Sequence, residues 1–71
     1  MTHLKAAREA ACLSQSKLAQ ASGVSIRIIQ HYEQRFRDIN LASAIKVYRL
    51  AQALGTRMED LLEIDKQNGE S

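Results

Sequence analysis

Apolar residues recur at spacings of three and four along most of the chain, broken at Ser–Gly and Leu–Gly steps. This is the period of amphipathic helices rather than the alternation of half-buried strands. Residues 3–11 are rich in strong helix formers, with Leu4, Ala7 and Ala11 at helical spacing and Arg8 on the same side. Cys12-Leu13-Ser14 interrupts, and Ser14 is a good N-cap for a second helix, 15–22, whose apolar face is Leu18 and Ala19. Gly23 suits the left-handed residue that ends a helix. Only Val24 separates this stop from Ser25 and a third helix, 26–34. Ile29, Tyr32 and Glu33 face one side of it; Ile26, Arg27, Gln30 and His31 face others. After the polar stretch RFRDIN, Asn40 is the expected N-cap of a fourth helix, 41–54, with Leu41, Ala44, Val47, Tyr48, Ala51 and Leu54 as its stripe and Gly55 as its stop. Thr56-Arg57-Met58-Glu59 matches a capping box, which predicts a fifth helix, 57–63, burying Met58, Leu61 and Leu62. The pattern thus predicts one all-α domain of five helices over residues 1–64 and a flexible polar tail over 65–71.

Composition narrows what such a domain can do. With 71 residues, 45 % apolar types, no Pro, three Gly and one Cys, the chain fits neither collagen, a disulfide scaffold nor a membrane span. The opening MTHLKAAREAA lacks the apolar run of a signal peptide, and a lone Cys12 makes no internal bridge; both predict a cytoplasmic protein. A chain this short buries only about 60 % of its unfolded surface. It has no Trp, one Phe and two Tyr. A substrate pocket would consume most of such a core, so a binding module is expected and an enzyme is not. His3, His31 and Cys12 lack metal-ligand spacing, and the serines sit at caps and turns without an acid–base partner pattern. No cofactor, metal or small-molecule ligand is expected. The formal charge of +2 is unevenly spread: residues 1–40 carry six Lys/Arg against three acids, and residues 41–71 carry four against five. A polyanion would sit on the first half.

Two helices joined by a short Gly-containing turn form a helix-turn-helix, whose first helix braces on the DNA backbone while the second offers its N-terminal residues to the major groove. The string LSQSKLAQASGVSIRIIQHYEQ resembles the helix-turn-helix of the phage repressor and Cro type, the xenobiotic-response-element family, and LAQALGTRMEDLL continues the resemblance. It spans residues 4–63 and implies a five-helix, lambda-repressor-like DNA-binding domain. Residue by residue, Gln15 matches a glutamine that bonds a phosphate at the start of the second helix. Leu18, Ala19, Val24 and Ile29 match packing positions. Ser25, Ile26 and Arg27 match the opening turn of the recognition helix, and Gln30 and His31 the next turn. Arg8 and Glu33 match a pair that clamps the first helix to the end of the third. Three positions depart from the pattern: Cys12 and Arg35 stand where glycine is common, and Phe36 where a basic residue is common.

The resemblance implies sequence-specific binding of double-stranded DNA by a transcriptional regulator, a repressor, acting as a homodimer on a two-fold operator. Ser25, Ile26, Arg27, Gln30 and His31 are the expected base contacts, and Gln15, Lys17, Arg35 and Arg37 the expected phosphate contacts. For each there is a plainer account: a phosphate or solvent contact for Arg27 and Gln30, a surface apolar residue for Ile26, a solvated helix-face imidazole for His31. Ile45 lies off the stripe of its helix and is either a scattered exposed residue or a dimer contact, with Phe36 or the last helix. The alternative function is a protein-interaction or antitoxin-type module that uses the same fold.

Overall fold

The computed structural model describes residues 1–64. It contains four α-helices, α1 (His3–Ala10), α2 (Gln15–Ser22), α3 (Ile26–Glu33) and α4 (Ala44–Leu54), and two short 3₁₀ turns, Ile39–Leu41 and Met58–Asp60. No strand occurs among the described residues. The tail expected over 65–71 lies outside them.

The core is built by one large residue from each segment. Leu4 of α1, Leu18 of α2, Ile29 of α3, Leu50 of α4 and Leu61 after the second 3₁₀ turn are the largest fully buried side chains. Val24, Tyr32, Ile39, Val47, Ala51 and Leu54 close the cluster around them. Packing every element through one leucine or isoleucine is how a short chain reaches interior density without a tryptophan. Hydroxyl caps fix the helix starts: Thr2, Ser14, Ser25 and Ser43 each accept a backbone N–H of the first turn. None of the three helices after α1 has an acidic residue in its first turn.

Left-handed residues fix the ends. Gly23 (φ 74°) closes α2 and Gly55 (φ 70°) closes α4, as their positions predict. Cys12 (φ 60°) after α1 and Arg35 (φ 64°) after α3 adopt the same conformation without being glycine. Each costs on the order of 1 kcal/mol for the crowding of its Cβ.

The second half departs from the expected helices. The fourth begins at Ala44, not at residue 41, because Ser43 takes the capping role and Asn40 is engaged elsewhere. The Asn40 amide donates to the Glu63 carbonyl (3.0 Å) and accepts the Glu63 N–H (2.8 Å), tying the end of the fold to the loop after α3. Asp38 caps the intervening 3₁₀ turn instead. The buried stripe of α4 is Val47, Leu50, Ala51 and Leu54. Leu50, absent from the expected stripe, is fully buried, whereas Leu41 is 84 % exposed and Tyr48 47 %. A five-helix count is not met, since the last segment is a single 3₁₀ turn. Thr56 does not open it: its N–H reaches back to the Ala51 carbonyl (3.0 Å) to finish α4. The Asp60 carboxylate instead accepts the Arg57 N–H (3.1 Å), so only the returning half of a capping box is made, one residue later than Thr56–Glu59. Met58 and Leu62 pack only partly buried against the core, and Leu61 alone is fully buried.

Candidate nucleic-acid interface

The unit α2–Gly23–α3 is rigid for local reasons. The Gly23 N–H bonds the Ala19 carbonyl (2.9 Å). The buried Ser22 hydroxyl accepts the Val24 N–H (3.1 Å), and Val24 drops into the core. Ser25 then caps α3 by accepting the Arg27 N–H (3.1 Å). A turn with all of these groups satisfied has little freedom, so α2 and α3 hold a fixed crossing.

Burial divides α3 lengthwise. Ile29 and Tyr32 face the core, with Ile28 partly buried beside them. Ser25, Ile26 and Arg27 are exposed at the start of the helix, while Gln30 and His31 are half-buried a turn later. Ile26 is 40 % exposed, a large apolar side chain offered to solvent at the head of the helix. Ser25 keeps its hydroxyl proton and a second lone pair for another partner, since the cap uses only one lone pair of its oxygen. The N-termini of α2 and α3 point positive partial charge outward with no first-turn carboxylate to neutralise it, which favours an anion there.

Beneath this surface lies a polar cluster. Arg8 donates from Nε to Glu33 Oε2 (2.8 Å) and from Nη2 to Glu33 Oε1 (3.1 Å), a bidentate pair, and its Nη1 donates to the Leu13 carbonyl (2.8 Å). The Glu33 side chain is only 3 % exposed and that of Arg8 11 %. The hydrogen bond to Glu33 raises the Arg8 guanidinium above its usual range, with burial opposing. Gln15 donates to Glu33 Oε1 (2.9 Å), and Gln30 donates to Gln15 Oε1 (3.3 Å). In this structure Gln15, expected toward a phosphate, is therefore turned inward to a carboxylate.

The remaining expected cations divide. Lys17 and Arg37 are exposed. Arg35 leans away from α3, with Nη2 4.0 Å from Glu63, and lines a cleft of about 280 Å³ with Thr2, Tyr32, Arg37 and Glu63. Phe36, 72 % exposed, sets its ring edge-on to His31 at 5.8 Å between centroids. The His31 Nδ1 is buried without a protein partner. No sequence signal pointed to the Gln15–Glu33 bond, the Gln15–Gln30 bond or the Phe36–His31 contact, because each joins separate elements or crosses a turn. Arg8 and Glu33 were the exception, found through the resemblance.

No group of His, Cys, Asp or Glu among the described residues is arranged to hold a metal ion, and no helix there is long and apolar enough to cross a membrane. No curated protein and no solved structure matches the chain. A helix-turn-helix family matches residues 4–61, which take in α1 through the second 3₁₀ turn and so the whole buried core. With the satisfied turn at Gly23 and Ser25, Ile26 and Arg27 exposed at the head of α3, the chain belongs to this helix-turn-helix family of sequence-specific DNA-binding, transcription-regulating domains.

Proposed function

We propose that this protein is a repressor of the phage repressor and Cro type that binds a two-fold operator as a homodimer, with α3 in the major groove. The observation that carries the reading is the division of α3: its apolar face is locked to the core, and its N-terminal turn offers Ser25, Ile26 and Arg27 to solvent. Arg27 suits bidentate pairing to guanine, Ile26 contact with a thymine methyl, and Gln30 and His31 the bases one turn on. Lys17 and Arg37, both exposed, suit phosphate contacts. Gln15 reaches a phosphate with the N–H its internal bonds leave over, and Arg35 by releasing Glu63.

Size and the exposed apolar side chains around α4 support the homodimer. A recognition helix of eight residues is only about 12 Å long and reads a few base pairs. Discrimination of a genomic site needs a second half-site about one DNA turn away. Ile45 and Tyr48 are exposed apolar side chains three apart on α4, with the exposed Leu41 on the 3₁₀ turn before it, a surface that suits a second copy of this chain.

Selection of bound duplexes from a random pool, followed by titration against salt, tests the reading. A pseudo-palindromic consensus, a steep log-linear loss of affinity with salt, and a loss of about 1–3 kcal/mol at one base position for Arg27→Ala are expected. Ile45→Glu should weaken both self-association and operator binding. No duplex binding at low salt refutes the reading and leaves the protein-interaction or antitoxin-type module.

A further inference from the structure

We propose that Glu33, acting through Gln15, fixes which end of the Gln30 amide faces a base, and so makes Gln30 a reader of adenine. This rests on the placement of α3 in the major groove.

A primary amide has a donor end and an acceptor end of nearly the same shape. On a free side chain the two exchange by rotation, and such a glutamine discriminates poorly between bases. Gln30 is not free. The chain of restraint begins at a carboxylate, which in its ionised form only accepts. Glu33 is paired to the Arg8 guanidinium through both oxygens. Gln15 must therefore turn its NH₂ toward Glu33 Oε1, and does so at 2.9 Å. That leaves the Gln15 carbonyl as the group facing Gln30, and a carbonyl calls for a donor. Gln30 answers with its Nε2 at 3.3 Å. What Gln30 retains is its carbonyl oxygen and its second N–H.

One acceptor and one donor is the complement of the adenine major-groove edge, with its N6 amine and N7. Guanine presents two acceptors there, O6 and N7, which a glutamine matches only by turning its NH₂ fully outward. That turn would set the Gln30 carbonyl against the Gln15 carbonyl, two acceptors facing each other. Each outward choice is thus decided two residues away by a group that does not reach the groove. Glu33 and Gln15 are positioning residues, and Gln30 is the one that touches the base. Partial burial of Gln15 and Gln30 and near-complete burial of Glu33 keep water from substituting freely for the links.

The test compares Gln30→Ala and Gln15→Met with the unaltered chain. Gln15→Met keeps the side-chain length and leaves the Arg8–Glu33 pair intact, and thermal melts confirm that each variant folds. Duplex selection on the unaltered protein should show one position in each half-site with adenine favoured over guanine by roughly tenfold or more. Gln30→Ala should abolish that preference. Gln15→Met should reduce it severalfold at the same position and leave preferences elsewhere unchanged, while overall affinity falls evenly across sequences as the Gln15 phosphate contact is lost; a general loss of stability does not produce that position-specific change. In the free protein, Gln15→Met should also shift the Gln30 side-chain amide pair in ¹⁵N-correlated spectra. An unchanged consensus with Gln30→Ala, a full adenine preference with Gln15→Met, or an unmoved Gln30 amide signal would each overturn the relay while leaving DNA binding in place. No duplex binding by the unaltered chain would overturn the DNA reading and, with it, the base preference.

Discussion

Replacing Arg8 by alanine removes one partner from a pair with almost no access to water. The Glu33 carboxylate is 3 % exposed and keeps only the Gln15 amide once the guanidinium is gone. The Leu13 carbonyl in the turn between α1 and α2 loses its side-chain donor as well. Removing one member of a buried pair costs about 3–5 kcal/mol, most of it the penalty of an uncompensated charge. A domain of this size has a total stability of roughly 4–10 kcal/mol. Arg8→Ala should therefore consume about half of it, and the folded fraction should become sensitive to mild heating. Urea denaturation followed by far-ultraviolet circular dichroism measures the loss directly, with the slope m reporting whether the transition stays cooperative. The pair Arg8→Met with Glu33→Leu should recover most of the loss, because two apolar side chains leave no charge stranded. A cost below about 1 kcal/mol for Arg8→Ala, with m unchanged, would refute the view that α1 is clamped to α3 through a desolvated ion pair, since that is the range of exposed pairs.

The left-handed positions give opposite expectations. At Gly23 an added Cβ meets no atom within 4 Å, so Gly23→Ala should cost only the conformational term, about 1 kcal/mol, by the same denaturation assay. Arg35→Gly removes that term at φ 64° and should stabilise by up to about 1 kcal/mol; a loss would mean that the Arg35 side chain anchors the turn. Burial raises the Tyr32 phenol above its usual range, with the Arg37 charge opposing. The unfolded chain releases this proton first, at about pH 10, so the contribution is present below that pH and is lost as pH rises through the higher folded value. Tyr32→Phe should flatten the decline of stability above about pH 10, and an unchanged decline would place its origin elsewhere.

The first half of the chain was legible because its signals are local. Ser14, Ser25 and Gly23 act on their own neighbours, and α2 and α3 begin within a residue of where these caps put them. The second half offered competing signals of equal strength. Asn40 and Ser43 are both good caps, and the choice between them is made by Glu63, twenty-three residues beyond Asn40, whose backbone takes the Asn40 amide. Thr56 and Glu59 have the spacing of a capping box, but the Thr56 N–H is already committed to closing α4 behind Gly55. With Leu41 outside the helix, the buried stripe runs Val47, Leu50, Ala51 and Leu54, and Ile45 and Tyr48 stay exposed on α4. Local propensity cannot settle such cases, because the deciding partner is distant in sequence.

The same limit bears more heavily on the site. Residue type and position along α3 suffice to name Arg27 and Gln30 as candidates, since helical period alone puts them near the groove side. What each one presents to a base depends on its other bonds. Gln30 is a symmetric candidate in sequence and an oriented one in the fold, because its amide ends a chain of hydrogen bonds rooted in Arg8 and Glu33. The cluster thus serves two purposes through one carboxylate: it clamps α1 to α3 and it orients a group on the exposed side. Stability and specificity are coupled in such an arrangement. Loss of Arg8 should disturb both most strongly, whereas loss of the Gln15 amide should alter what is read at a smaller cost in stability, about 1.5–3 kcal/mol for one buried hydrogen bond to a carboxylate that stays paired to Arg8. The separation of those two effects distinguishes a clamp that merely holds the reading helix from one that also sets what the helix reads.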